Sequence, residues 1–282
     1  MKKAMLILAA AAMLCVSAIA QEDIAGYWLD KGNGSARQAL NKTQNETARD
    51  LLFQEALDAY NKTVEIDPQS MLGWQSKGRV LFELERYEES ISCINRSTVV
   101  APQSADAWYW KGCILAELGR WQEALEAYNE SLRIDPQSAD AWYFKGCVLG
   151  ELGRFNQALK MYNESLKINP QSSKAWLDKG TLLNWFGSKD EAKDAFARVR
   201  ELDEKAIELN PKDAEAWHRE GVALDFLGRH DDALQCFDKA IELDPGYCRA
   251  WLSKGQVLQN LGRSIDAEAF FAKVRELGCS TF

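Results

Sequence analysis

The sequence predicts an all-α fold, an α-α solenoid of stacked helix-turn-helix units, on three observations. Blocks of 34 residues begin in succession at Met71, Ala105 and Ala139, and the same pattern returns at Ala214 and Cys248. Each block carries a tryptophan with a glycine four residues later: Trp74/Gly78, Trp108/Gly112, Trp142/Gly146, Trp176/Gly180, Trp217/Gly221 and Trp251/Gly255. Most blocks close on a proline, at Pro68, Pro102, Pro136, Pro170, Pro211 and Pro245. A fixed period of this length is the mark of a repeat array in which each unit buries its apolar face on its neighbours.

Residues 1–20 read as a secretory signal peptide. Lys2 and Lys3 precede an apolar stretch from Ala4 to Ala20 that ends in Ala18-Ile19-Ala20, so cleavage is expected before Gln21. The alternative is an uncleaved N-terminal membrane anchor. Residues 21–70 form an irregular first repeat. Gly32-Asn33-Gly34 interrupts its pattern, and a polar run from Asn41 to Thr47 follows before Phe53 restores the phase.

Residues 71–104, 105–138 and 139–172 are regular repeats. Within each, the tryptophan and a following apolar pair such as Ile114-Leu115 fall at helical spacing and supply one buried stripe. The first glycine lets two helices approach. A second one, Gly119 or Gly153, ends helix A, and Glu85 stands there in the 71–104 block. Ala124 with Tyr128, and Ala158 with Tyr162, make the facing stripe of helix B, which proline then stops.

The 173–213 block has seven extra residues, Arg200-Glu201-Leu202 being echoed by Ile207-Glu208-Leu209. Seven residues make almost two helical turns, so helix B is expected to lengthen with its apolar face in phase, one continuous helix from Lys189 to Leu209. On that reading the extra turns are dispensable. Residues 214–247 and 248–282 complete the array.

These residues resemble the tetratricopeptide-repeat (TPR) signature, W-x2-L-G-x2-Y, A-x3-F and P at period 34, across essentially all of 25–282. The resemblance implies a right-handed superhelix and a binding scaffold rather than an enzyme. One departure is systematic. Lysine precedes the first glycine at positions 31, 77, 111, 145, 179 and 254, with Glu220 the exception. Its long stem is expected to cover apolar surface while the charge stays in water.

Chemistry is sparse. There is no phosphate-binding glycine loop, no H-E-x-x-H and no G-x-S-x-G, and no cofactor or metal is expected. His218 has no ligand-spaced partner, and His230 takes the turn position of Tyr87, Trp121 and Phe155, which reads as packing. A formal charge of -8 with interspersed lysines and arginines argues against nucleic acid. Cys93, Cys113, Cys147, Cys236, Cys248 and Cys279 remain after cleavage and show no regular pairing, which reads as small buried side chains. Of seven N-x-[ST] matches, Asn61, Asn95, Asn129 and Asn163 share one helix-B slot that the repeat itself explains, leaving Asn41 and Asn45 as the glycosylation candidates.

The resemblance places a partner on the inner face of helices A. The residues there are Tyr109, Tyr143, Leu177 and His218 after each tryptophan, with Trp185, Phe226, Glu117 and Glu151 two turns on. Trp110 and Phe144 read as core between repeats. Family members that clamp a C-terminal carboxylate use Lys and Asn where this chain has Gln75, Tyr109 and Tyr143, so that mode is not supported. The expected function is an extracytoplasmic protein- or peptide-binding scaffold. The alternatives are a self-associating surface protein, because the last helix with Phe270 and Phe271 lacks a polar cap, and a glycan- or solute-binding protein using the aromatic residues.

Overall fold

The computed structural model describes residues 2–41 and 46–279, with side chains for 21–40 and 47–279. Among the described residues it contains fourteen α-helices and no strand. They are α1 Lys2–Asn41, α2 Glu46–Ile66, α3 Met71–Glu83, α4 Tyr87–Val100, α5 Ala105–Glu117, α6 Trp121–Ile134 and α7 Ala139–Glu151. These are followed by α8 Phe155–Ile168, α9 Ser173–Trp185, α10 Lys189–Leu209, α11 Ala214–Phe226, α12 His230–Leu243, α13 Cys248–Asn260 and α14 Ser264–Glu276. The chain divides into two compact units, Met1–Leu152 and Gly153–Phe282. None of the helices among the described residues is long and apolar enough to cross a membrane.

Five helices A, those of α3, α5, α7, α9 and α11, start the same way, and α13 lacks such a cap. The hydroxyls of Ser70, Ser104, Ser138 and Ser172, and the carboxylate of Asp213, accept from the backbone N–H three residues on, which satisfies one otherwise orphaned donor. The turn before each cap is fixed by its tryptophan. Trp108 Nε1 donates to the carbonyl of Pro102 at 2.9 Å, and Trp74, Trp142, Trp176, Trp217 and Trp251 repeat this bond to their own prolines at 3.0 Å. Trp and Pro are therefore two ends of one contact, and the proline does more than stop helix B.

In most repeats the lysine before the first glycine reaches over the tryptophan of its own helix, while Lys254 lies over the Phe270 ring. The ammonium-to-ring distance is 5.5 Å for Lys77 on Trp74, 5.0 Å for Lys111 on Trp108, 5.2 Å for Lys145 on Trp142 and 4.9 Å for Lys179 on Trp176. Burial lowers the pKa of Lys111, Lys145 and Lys179. The charge is thus held against an aromatic face rather than left wholly in water, which corrects the expectation for these positions.

In the first unit, a Cβ on Gly112 would sit 2.6 Å from the Tyr128 ring, so only glycine lets α5 and α6 close on each other. Gly32 has the same relation to Tyr60, at 2.5 Å. The structure here corrects the sequence reading. Gly32-Asn33-Gly34 does not break the first repeat; α1 runs through it, and Gly32 is that repeat's close-approach position beside Trp28. The core below is formed by Phe53, Ala56, Leu57, Tyr60, Val80 and Leu81. Gly119 takes φ +68° where α5 turns into α6, whereas Glu85 must take φ +57° at the matching turn of the previous repeat.

In the second unit, Leu183, Ala192, Phe196, Val199 and Ala223 form one core cluster. Leu224, Leu234, Phe237, Val257 and Leu258 form another. α10 is one continuous helix of 21 residues, and its extra turns are charged as well as apolar. Asp203 is 1 % exposed and accepts from Arg219 on both oxygens and from the Ser173 hydroxyl at 2.6 Å. Arg200 donates to Glu220 at 3.1 Å, so the residue that replaces the recurrent lysine is paired with the extended helix. Cys248 and Cys279 form a disulfide with Cα atoms 6.2 Å apart, closing the start of α13 onto the end of α14. This corrects the expectation of unpaired, small buried side chains at these two positions. Cys93, Cys113, Cys147 and Cys236 form no disulfide among the described residues.

Candidate partner-binding surface

In the first unit, α3, α5 and α7 lie side by side, α5 touching both of the others. Along one face their aromatic side chains meet edge-on in a continuous ladder. Phe82 lies 5.9 Å from Trp110, Trp110 5.6 Å from Tyr109, Tyr109 5.9 Å from Phe144, and Phe144 5.0 Å from Tyr143. Such T-shaped pairs hold one another in fixed orientations and are worth about 0.5–1.5 kcal/mol each beyond the area buried.

The ladder has a buried side and an open side. Tyr109 is half-buried against Tyr128, and burial together with the neighbouring Cys113 pushes its hydroxyl above the tyrosine range. Tyr128 donates to Cys113 Sγ at 3.4 Å, and burial pushes the Cys113 thiol up to about 11, an inert thiol. Trp110 is half-buried, with the Arg79 guanidinium 4.7 Å from its ring. Phe144, read from the sequence as core, is 37 % exposed, and Tyr143 beside it is half-buried.

Glu83, Glu117 and Glu151 are the last residues of α3, α5 and α7, and all three are exposed. A carboxylate at a helix C-terminus faces the negative end of the helix dipole, which costs roughly 0.3–1 kcal/mol. None of the three has an ion-pair partner among the described residues. Their field is felt nearby: burial, then the charges of Glu117, Glu85 and Glu83, raise the pKa of the Tyr87 hydroxyl. Three unpaired carboxylates in a dipole-opposed position are not explained by stability.

In the second unit, the residues ending α9 and α11 are aromatic instead. Trp185 is 66 % exposed, with ring contacts to Phe155 at 4.8 Å and Phe186 at 5.2 Å. Phe226 is 38 % exposed and stacks on Phe196 at 4.5 Å. Leu177 is half-buried. His218 does not stand on open surface. It is 8 % exposed, with Nε2 3.0 Å from the Ser253 hydroxyl and Nδ1 3.3 Å from that of Tyr247. Burial first, then Arg249 and Arg219, pull its pKa down to about 4. His230, read as a packing residue, places Nδ1 2.7 Å from Asp225 Oδ1. Sequence reasoning thus ordered these residues by repeat position but not by exposure; repeat position also puts Phe82 on this face, whereas Arg79, lying on the Trp110 ring, was missed.

Asn45 and the side chain of Asn41 lie outside the described residues, as do the side chains of residues 1–20. Asn33 accepts from the Tyr60 hydroxyl at 2.9 Å, while Asn95 and Asn129 are exposed on α4 and α6. Among the described residues, no group of three or more His, Cys, Asp or Glu is arranged to hold a metal ion.

Three family models, each described as a tetratricopeptide repeat, match residues 76–139, residues 139–172 and 214–247, and residues 236–269, together more than half of the chain. A crystal structure of MamA is 25 % identical, covers 55 % of this chain and 91 % of its own, and superposes with a TM-score of 0.52. Pseudomonas aeruginosa pilF is 15 % identical, with 82 % of this chain and 96 % of its own covered and a TM-score of 0.63. A tetratricopeptide-repeat protein from Parabacteroides merdae is 16 % identical, with 88 % and 95 % covered and a TM-score of 0.63. The last two share the fold with this chain. No curated protein sequence matches it.

Proposed function

The chain belongs to the tetratricopeptide-repeat family, and on that premise we propose that it is a non-catalytic scaffold, exported from the cytoplasm, that holds a protein or peptide partner. The repeat architecture is suited to protein binding. One observation carries the finer reading: the same three helices, α3, α5 and α7, carry the aromatic ladder and end in carboxylates with no ion-pair partner among the described residues. A row of rigid aromatic rings offers contact area at low entropic cost, and exposed negative charge beside it selects a cationic partner.

The partner chemistry that fits is a segment with aromatic or aliphatic side chains interspersed with Lys or Arg. A random peptide library panned on the mature protein tests this. Enrichment of basic-aromatic sequences whose binding weakens with salt supports the reading, and enrichment of acidic sequences contradicts it.

Export rests on the layout of residues 1–20, and the Cys248–Cys279 disulfide fits an oxidising compartment. The N-terminal sequence of the protein recovered from its host tests it: a chain starting at Gln21 supports cleavage, and an intact Met1-Lys2-Lys3 start in the membrane fraction supports an anchor instead.

A further inference from the structure

Helices α2, α4, α6 and α8 carry the acceptor motif for N-linked sugar at one and the same slot, in Asn61-Lys62-Thr63, Asn95-Arg96-Ser97, Asn129-Glu130-Ser131 and Asn163-Glu164-Ser165. The repeat accounts for one half of it. Thr63, Ser97, Ser131 and Ser165 are at most 1 % exposed, and the hydroxyls of Ser97 and Ser131 donate to the carbonyls of Met71 and Ala105 at 3.3 and 2.9 Å, tying helix B to helix A. The asparagines do nothing of the kind. Asn95 and Asn129 are exposed, Asn61 and Asn163 are half-buried, and none of the four side-chain amides makes a hydrogen bond among the described residues.

The two halves nevertheless change together. Where α10, α12 and α14 put Val199, Ala240 and Val274 in the buried slot, Ala197, Asp238 and Ala272 stand in the exposed one. Residues two apart on a helix do not face each other, so no packing contact joins the asparagine to the hydroxyl. Nor does helix formation favour it, since Asn is a poorer helix former than Ala, Glu or Lys. A pair that goes together through four repeats without touching is explained by a transferase that reads both members. A receptive surface lies beside the slot. Asn129 lines a shallow cleft of about 470 Å³ with Trp108, Lys111, Glu126 and Glu130, and Asn163 lines one of about 410 Å³ with Trp176 and Lys179. An aromatic ring bordered by charged groups offers both the apolar and the hydrogen-bonding contacts that a sugar ring makes.

Resting on the export of the chain, we propose that Asn95 and Asn129 are modified by N-linked saccharide, the first sugar on Asn129 lying in the Trp108 cleft. In the transfer, Nδ2 attacks C1 of a lipid-linked glycosyl phosphate. The C1–N bond forms, the C1–O bond to phosphate breaks, the lipid phosphate leaves with the bonding electrons, and a base of the host transferase takes the amide proton. Attachment precedes folding, because the finished fold buries the Ser97 and Ser131 hydroxyls that complete the motif. Helices α3, α5 and α7, which carry the aromatic ladder, bear none of the four motifs, so the sugars leave it open.

Glycopeptide mass spectrometry of the parent and of Ser131→Ala, both purified from the host, tests this. Ala240 fills the slot of Ser131 in α12, so alanine fits there and the variant is compared as folded protein. The Asn95 and Asn129 peptides of the parent are each expected to gain the mass of at least one saccharide residue, and Ser131→Ala to keep it at Asn95 and lose it entirely at Asn129. Bare Asn95 and Asn129 in a chain recovered outside the cytoplasm, whether it starts at Gln21 or at Met1, overturns the proposal. Saccharide retained on Asn129 in Ser131→Ala does the same. A bare chain recovered only from the cytoplasm with Met1 intact overturns export and the proposal together.

Discussion

Arg219 of α11 donates from Nη2 to Asp203 Oδ1 at 2.7 Å and from Nε to the same carboxylate at 3.1 Å, joining the extra turns of α10 to the next repeat. From periodicity alone, residues 203–209 could be removed, since the apolar face stays in phase. The structure makes that removal costly, because it leaves Arg219, itself largely buried, without its bidentate partner and with only the longer contact to Glu215 at 3.5 Å. Asp203→Ala is expected to destabilise the protein by about 3–5 kcal/mol, the usual result of orphaning a buried charge. Replacing both partners by apolar residues of similar volume, Asp203→Leu with Arg219→Met, is expected to restore most of it. Urea unfolding of the three proteins checks this, and an Asp203→Ala midpoint equal to the parent's would show that the pair is not needed.

The turn between α3 and α4 carries a local conflict at Glu85, which takes the left-handed conformation that glycine takes in the later repeats. Glu85→Gly is expected to stabilise the first unit by about 1 kcal/mol, and Gly119→Ala to destabilise it by a similar amount. Thermal melting of both variants reads the two signs at once. A Glu85→Gly protein less stable than the parent contradicts the account.

His218 gives the second unit a pH dependence with a definite sign. Its folded pKa, about 4, lies below the ordinary histidine value, so the folded state resists protonation. Its contribution is fully present above about pH 6.5 and is lost as pH falls toward 4, up to about 3 kcal/mol in all. Burial raises the pKa of Asp203 and Glu220, which acts in the opposite direction as pH falls. Stability of His218→Gln against the parent from pH 7 to pH 4 isolates the histidine: the difference is expected to shrink or reverse on acidification, and a pH-independent difference refutes it.

Reduction of Cys248–Cys279 is expected to lower the stability of the terminal repeat by about 2–4 kcal/mol, since the bond closes a loop with a sequence separation of 31 residues. Hydrogen exchange of α13 and α14 with and without reductant checks this. Protection unchanged by reduction would show that the helices hold without the clasp.

Much of the fold was legible because repetition supplies its own alignment. Tryptophan, glycine and proline recurred in phase, and the helix pairs follow that phase. What was not legible depends on distances that spacing does not encode. The bond from Trp108 to the Pro102 carbonyl and the reach of Lys111 over Trp108 need the turn geometry. Gly32 looked like a helix breaker in a run of small polar residues, yet close packing on Tyr60 explains it. Phe144 and His218 exchanged their expected environments, because helical position gives the face of a helix and not what the neighbouring helix lays over it. The Cys248–Cys279 pair spans the whole last repeat and carries no motif.

The central claim is that a cationic partner docks on the aromatic ladder of α3, α5 and α7. Phe144 is its most exposed ring, and Glu117 and Glu151 end α5 and α7, Glu151 about two turns beyond Phe144 on the same helix. The most direct measurement is the dissociation constant of one basic-aromatic library peptide for the parent, Phe144→Ala and Glu117→Gln/Glu151→Gln proteins, with melting temperatures recorded alongside. The account predicts that Phe144→Ala loses about 1–3 kcal/mol of binding, that the double glutamine protein loses most of the salt dependence, and that both melt close to the parent. Unchanged affinity in both variants, or a fall in melting temperature with affinity per folded molecule preserved, would contradict it.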